Sequence, residues 1–381
     1  MHATGFDAQP RTRLIFGADT LERVGVLARE FGGKRALLVT DKGLAAAGHP
    51  ARAIGFLEVA GLHVTTFDEV RENPTTLDVA RCVEVARAAG IDTIIGLGGG
   101  SSMDTAKGAN FLLTNGGAIK DYWGVGKATR EMLPLIAIPT TAGTGSECQS
   151  FALISDETTH QKMACGDPKA AARVAILDPL LTLSQPARVT ACTGIDALAH
   201  AVETAVTKKR NPLSAMYSCE AFRLCFGALE RVLRDPHDLE ARSAMQLGAA
   251  FAGTAIENSM LGAAHSASNP LTAHYGIVHG QAVGLMLPRV VEFNARDPEA
   301  HNRYLDLAIL AGLEDVNGLI AELETLLDVA GLRSGLAQLG VKADALPQLA
   351  AEAAQQWTAG YNPRPVVAAD FEQLYAEALG L

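Results

Sequence analysis

An acid and a histidine spaced to share one helix face give the first chemical lead. In Gly194-Ile195-Asp196-Ala197-Leu198-Ala199-His200, Asp196 and His200 stand four residues apart, so a helix would present both on one side. Further on, the stretch HSASNPLTAHYGIVHG carries His265, His274 and His279. One carboxylate with three imidazoles suits a borderline divalent metal, Fe2+ or Zn2+. Such an ion would polarise a carbonyl or lower the pKa of a bound alcohol. Taken singly, a histidine is more often a hydrogen-bonded core or surface residue than a ligand. It is the Asp–His pair in chelating register that sets these apart.

A different chemistry is written in the first half. The run Gly98-Gly99-Gly100-Ser101-Ser102-Met103-Asp104-Thr105-Ala106-Lys107 follows a hydrophobic stretch and opens into a helical pattern. Glycines let a backbone approach a diphosphate closely, and a helix N-terminus offers unpaired N–H groups and a favourable dipole. A tight strand-to-helix turn would need one glycine but hardly three. The run is neither G-x-G-x-x-G nor a Walker loop, so the standard fingerprints do not name its ligand. A second loop, Pro139-Thr140-Thr141-Ala142-Gly143-Thr144-Gly145-Ser146-Glu147, has small hydroxyl residues and glycines where α/β folds bind ligands. Two such loops favour one extended, phosphate-bearing cofactor. Asp41 closes the run RALLVT. Its carboxylate can accept from the ribose hydroxyls of an adenosine, or it can cap the turn that follows.

These residues need elements to hold them. Arg35–Thr40, His63–Phe67, Ile91–Leu97 and Leu135–Ile138 read as strands, with Phe151–Ile154 and Val174–Leu177 as further ones, and Thr76–Ala89 reads as an amphipathic helix. Strands alternating with helices predict a Rossmann-like parallel sheet covered on both faces. From about Ser184 strand-like runs nearly vanish. Ala187–Thr207, Leu213–Arg234, Leu239–Ala255, His301–Ala311 and Val316–Ala330 predict an all-helical domain. Prolines between Asp178-Pro179 and Pro186 place the boundary. The expectation is an α/β nucleotide-binding domain over 1–183 and a helical, metal-binding domain over 184–381.

Composition bounds the function. The 381 residues are 48% hydrophobic and 19% charged, which excludes disordered and fibrous classes. A net charge of −10 argues against nucleic-acid binding through a general field, and Lys208-Lys209-Arg210 reads as a solvated helix end or loop. Cys82, Cys148, Cys165, Cys192, Cys219 and Cys225 form no C-x-x-C, so buried reduced thiols are expected. Met1 to Phe16 lacks a basic-then-apolar signal pattern, and no apolar run reaches the roughly 18 residues of a membrane span. A cytoplasmic protein without membrane partners is the expectation.

Read together, the segments GGGSSMDTAKG, PTTAGTGSE, TGIDALAHAVE and HSASNPLTAHYGIVHG resemble the signatures of the iron-containing (group III) alcohol dehydrogenase family. Their order and spacing match through nearly the whole chain. Asn73-Pro74-Thr75 and Asn362-Pro363-Arg364 also fit the pattern. The resemblance implies a dehydroquinate-synthase-like architecture of two domains with a cleft between them. It implies Asp196, His200, His265 and His279 as metal ligands. It places the diphosphate of NAD(H) on Gly98, Gly99, Gly100 and Ser101, with Asn73 and Asp104 among the cofactor residues. Thr140, Thr141 and Thr144 would line the adenine and nicotinamide side, with Lys162 at the ribose. Asp41 matches the position whose acid favours NAD over NADP. Phe151 sits where the family shapes its substrate pocket; a core phenylalanine is the alternative. The resemblance further implies a small alcohol or aldehyde substrate and a homodimer, or a larger assembly, formed through a strand at Arg13–Phe16.

One position departs from the pattern. Many members carry a second histidine four residues after the first loop ligand, near the nicotinamide and associated with proton relay. Here it is Asn269, which cannot titrate, and His274 is the nearby candidate to replace it. Alternatives on the same scaffold are a zinc polyol dehydrogenase or a metal-independent reductase. More distant ones are a dehydroquinate-synthase-like lyase and an inactive cofactor-binding protein.

Overall fold

A computed structural model of the chain describes residues 5–159 and 161–380, so the start of the first expected domain and the last residue of the second lie outside the described residues. The chain folds into two compact units. One is built on Gln9–Thr141 and Gly145–Gln185, the other on Ala142–Thr144 and the chain from Pro186 onward, with residues 5–8.

The first unit holds strands β1 (Arg13–Phe16), β2 (Arg35–Val39), β3 (His63–Phe67), β4 (Thr93–Gly98), β5 (Gly124–Val125), β6 (Leu135–Pro139), β7 (Phe151–Ser155), β8 (Lys162–Gly166) and β9 (Val174–Leu177). Its helices are α1 (Val24–Glu30), α2 (Lys42–Ala46), α3 (His49–Val59), α4 (Thr76–Ala89) and α5 (Gly100–Asn115). Six strands form one parallel sheet in the order β1-β9-β6-β4-β2-β3. Side chains alternate across a strand, and here both sets are apolar. Leu38, Ile95, Ile136 and Ile176 pack with Leu27 of α1 and Leu57 of α3. On the opposite face Leu37, Val39, Ile94 and Leu135 pack with Val79 of α4 and Met103 of α5. Burial on both faces is what the near-continuous hydrophobic strands anticipate.

The chain passes from β2 outward to β3, then returns to the other side of β2 as β4. The carboxyl ends of β2 and β4 therefore flank the point where strand order reverses, the usual ligand crevice of such sheets. One expectation is corrected here. Phe151–Ile154 does not extend the parallel sheet. It belongs to β7, which pairs antiparallel with β8 in a separate three-stranded sheet ordered β5-β8-β7.

The second unit is built of α6 (Ala187–Thr204), α7 (Pro212–Arg234), α8 (Leu239–Ser259), α9 (Ala263–Tyr275), α10 (His279–Asn294), α11 (Pro298–Leu310), α12 (Val316–Val329), α13 (Leu346–Gln355) and α14 (Ala368–Leu379). Its centre is α6, packed against α7, α8 and α10. From Thr190 to Thr204 every residue of α6 except Thr193 is buried. Asp196, His200 and Glu203 are thus enclosed on a helix that is otherwise apolar almost all round, where polar groups need partners. Among the described residues no helix is long and apolar enough to cross a membrane.

Candidate active site

Three helices bring the acid and the histidines together. Asp196 and His200 come from the buried middle of α6, His265 from the first turn of α9, and His279 from the first position of α10. The Nε2 atoms of His265, His200 and His279 lie 3.4, 3.5 and 3.9 Å from Asp196 Oδ1. The His200 and His265 rings stack with centroids 4.7 Å apart, and His279 tilts against His265 at 5.4 Å. One donor atom each from Asp196, His265 and His279 falls within a 4.8 Å span of the others. His200 stands beside this set, against Asp196 and His265. Asp196, His200 and His265 are buried, whereas the His279 side chain keeps 26% of its surface, so the cluster is most open at His279.

The chemistry of the donors fits a divalent cation. Asp196 Oδ1 and His265 Nε2 are enclosed and meet no hydrogen-bond partner in the protein. Buried polar atoms left so are costly, and a cation among them would satisfy both. Burial by itself raises the Asp196 carboxyl, yet His200, His265 and His279 overcome it and hold Asp196 well below the usual carboxylate range. Burial draws His200 down to about 4 against the pull of Asp196. Burial also works against a charged His265, but Glu203 and Asp196 raise it to about 9. A metal needs neutral imidazoles, so loading this site releases protons.

Glu203 joins the site although its residue type alone points to no role. It lies on the Asp196–His200 face of α6, and its carboxylate accepts from His265 Nδ1 at 2.5 Å and from Ala264 N at 2.7 Å. Its spacing was the available signal: positions 196, 200 and 203 repeat as i, i+4, i+7.

On the α/β unit, the glycine run joins β4 to α5. Gly98 has φ +152°, and a Cβ there would come within 2.3 Å of Ser102 Oγ, so only glycine fits without strain. Gly100 begins α5 and Ser101 lies in its first turn. Asn73, itself left-handed at φ 53°, donates its backbone N–H to Ser101 Oγ at 3.3 Å. The neighbouring strand carries the second loop: Gly98 pairs with Pro139, and Thr140 N–H donates to Gly98 O at 3.0 Å. Thr140 and Thr141 thus follow β6 directly beside the glycines, and Thr141 lies against Gly99. On the other side Asp41, two residues past β2, caps α2, its Oδ1 accepting from Leu44 N at 3.0 Å.

Beneath the loops lies a buried polar anchor absent from the sequence reading. The Lys107 ammonium donates to Ser146 O at 2.6 Å, Ser146 Oγ at 2.8 Å and Phe151 O at 2.9 Å, and the Ser146 hydroxyl donates to Asp104 at 2.8 Å. Burial pushes the Asp104 carboxyl up, opposed by Lys107, the Ser146 hydroxyl and Lys162. Burial likewise carries Glu147 up to about 7. Asp104 is therefore part of the scaffold that joins α5 to the second loop. Thr144 belongs to the segment packed with the helical unit. Phe151 is half-buried in β7 with its ring against Gly166 of β8.

The histidine expected to stand in for Asn269 is not gathered with the others. His274 is exposed and bonded to Glu352 Oε2 at 2.7 Å. Asn269 is half-buried and donates to Gln356 Oε1 at 3.0 Å.

Comparison with known proteins adds an independent line. A family profile described as iron-containing alcohol dehydrogenase matches residues 10–179, and one described as the C-terminal part of the Fe-containing alcohol dehydrogenase family matches residues 190–379. The NAD-dependent methanol dehydrogenase of Bacillus methanolicus is 35% identical over 374 residues, covering 96% of this chain and 97% of that protein. The crystal structure of a 1,3-propanediol oxidoreductase superposes with a TM-score of 0.94 at 33% identity, over 98% of this chain and 100% of the other. The sulfoacetaldehyde reductase of Bifidobacterium kashiwanohense, in complex with NAD+, gives 0.91 at 29% identity, over 99% of each chain.

Proposed function

The chain belongs to the iron-containing alcohol dehydrogenase family, and on that premise we propose how its residues divide the work of interconverting a small alcohol and its carbonyl. It is an NAD-linked, metal-dependent oxidoreductase acting on CH–OH groups. The observation that carries the assignment is the convergence of Asp196, His265 and His279 donors within 4.8 Å, two of them on buried residues.

Asp196, His200, His265 and His279 hold the cation, Fe2+ by family and Zn2+ by donor chemistry. When bound, the ion supplies Lewis acidity toward the substrate oxygen, and NAD supplies the hydride acceptor. The rest falls to the chain. Asp196 keeps its charge in a buried setting and so neutralises part of the cation. His279, the least buried of the four, marks the side from which substrate enters. Gly98 to Ser101 receive the diphosphate at the start of α5, with Asn73, Thr140, Thr141, Thr144 and Lys162 as further cofactor contacts. Asp104 acts through Ser146, holding the second loop in place. Asp41 faces the adenosine ribose while capping α2, and its charge excludes a 2′-phosphate. Asn269 orients substrate or cofactor through its amide and moves no proton. His274, held on the exposed side by Glu352, has no part in this reading.

A short primary alcohol or diol is the substrate class we assign, in line with relatives named for methanol and 1,3-propanediol. The six cysteines form no disulfide, and all but Cys219, which is exposed and not buried as expected, are enclosed, which supports a cytoplasmic setting. β1, an edge strand of the six-stranded sheet, supports a homodimer formed by pairing its free edge with a second copy; light scattering at twice the 39.9 kDa chain mass would bear this out. The functional test is His265→Ala. The variant should lose bound metal and turnover while still binding NADH. Full activity in metal-free H265A would overturn the assignment.

A further inference from the structure

The helix that carries His265 begins without a cap of its own. Gly262, at the N-cap of α9, has no side chain to offer the first N–H groups. Those groups are satisfied from afar. Asn362 Oδ1 accepts from Ala263 N at 3.2 Å, and Glu203 Oε1 accepts from Ala264 N at 2.7 Å. Asn362 is fixed by paired amide bonds with Asn294, at 3.0 and 2.7 Å, and by donating to Arg364 O at 2.7 Å. A Cβ on residue 262 would come within 3.0 Å of Asn362 Oδ1 and 3.1 Å of Glu203 Oε1, so glycine is what lets both acceptors reach the helix start. The second oxygen of Glu203 has a separate task. Oε2 accepts from His265 Nδ1 at 2.5 Å, and Glu203 is only 2% exposed.

We propose that Glu203 is a positioning residue for the metal ligand His265, fixing both the orientation of its ring and the nitrogen that carries the proton. This rests on the metal-site reading given above. A carboxylate is an acceptor only, so the ring must present its N–H at Nδ1. The lone pair then sits on Nε2, the atom 3.4 Å from Asp196 Oδ1, where a cation would be held. Carboxylates behind metal-bound histidines fix tautomer and ring plane in this way, and they raise ligand basicity. Glu203 does so with one oxygen while stapling the start of the ligand's own helix with the other.

The geometry makes glutamine a sharp probe. Two N–H donors, Ala264 N and His265 Nδ1, converge on one side chain that supplies two acceptor oxygens. A glutamine supplies one oxygen. If it keeps Ala264 N, its NH2 faces Nδ1 and pushes the imidazole proton to Nε2, where it blocks the metal. If it turns round, its NH2 opposes the helix N–H. Neither arrangement serves both groups.

The experiment is a Co2+ titration of chelator-treated, refilled protein, read by chelator competition and by the visible ligand-field bands. Glu203→Gln should bind Co2+ about ten- to a hundredfold more weakly than wild type, with altered bands. Asn362→Ala, which loosens the same helix start without touching the His265 ring, should lower the melting temperature but keep Co2+ affinity within about threefold of wild type. Glu203→Gln binding as tightly as wild type, with unchanged bands, would overturn the proposal. Equal weakening in Asn362→Ala would overturn it too, since the effect would then belong to the helix start. Wild type that takes up no Co2+ would instead remove the metal reading on which the proposal stands. A check needing no change at Glu203 uses Zn2+-loaded wild type labelled with 15N-histidine. A far-downfield Nδ1 proton, lost in His265→Asn, is expected from a short bond to a carboxylate; its absence would contradict the assignment.

Discussion

At the scale of single residues, the site is governed by which polar groups the fold chooses to bury. Asp41 is proposed above to hold two tasks with one carboxylate. Its Oδ1 caps α2, and the acid follows β2, the strand paired with β4, which leads into the glycine run. Asn is as good a cap as Asp but carries no charge. Asp41→Asn should therefore leave the melting temperature nearly unchanged while raising kcat/KM for NADP+ at least tenfold relative to NAD+. Steady-state kinetics with both cofactors checks this, and an unchanged ratio would reduce Asp41 to a cap. Glu147 offers a pH test. Burial raises it from an ordinary 4.5 to about 7 in the folded protein. The unfolded chain ionises first as pH rises, so stability is fullest below the unfolded value and declines until pH passes about 7. Glu147→Gln should thus be more stable than wild type at pH 8, by on the order of 3 kcal/mol, with the advantage shrinking toward pH 4.5. Urea melts at both pH values would show it; an equal difference at the two would refute the burial argument.

At the scale of elements, the site depends on how strands and helices end. Gly98 carries the chain from β4 into α5 at φ +152° with Ser102 against it. Gly98→Ala should strain that turn by about 1–3 kcal/mol and weaken NADH binding about tenfold or more, while metal content stays at the wild-type level. Fluorescence titration with NADH and elemental analysis of the same sample would separate the two. Much of this was legible beforehand. The hydrophobic strands gave the parallel sheet, and the i, i+4 spacing of Asp196 and His200 gave the acid and one imidazole of the cluster. What escaped has physical reasons. α9 and α10 give no helical pattern in the sequence, because Ser, Asn and His interrupt the apolar period and each holds an internal proline, Pro270 and Pro288. Tertiary burial overrides those local preferences. β8 leaves little trace because KMACG is short and mixed, and nothing in the sequence of its partner β7 signals that the two run antiparallel, outside the parallel sheet. Glu203 and Lys107 lay inside quoted motifs, but their partners are brought to them only by the fold.

At the scale of the whole chain there are two units, each with its own core, and the function proposed above gives nucleotide binding to the parallel sheet and metal binding to the surroundings of α6. That division explains why the ligand variant H265A should keep NADH binding. The net charge of −10 gives no general attraction for an anionic cofactor, which suits the proposed recognition by backbone N–H groups at the α5 terminus. It also means that cofactor affinity should depend little on long-range electrostatics. The central claim is that Asp196 and the three histidines bind a catalytic divalent metal. Its most direct test is elemental analysis of anaerobically purified wild-type protein, with NADH-linked reduction of short aldehydes measured on the same sample before and after chelation. About one Fe or Zn per chain, with turnover lost on chelation and restored by Fe2+, is the expected result; protein that is free of metal and turns over unchanged would contradict it.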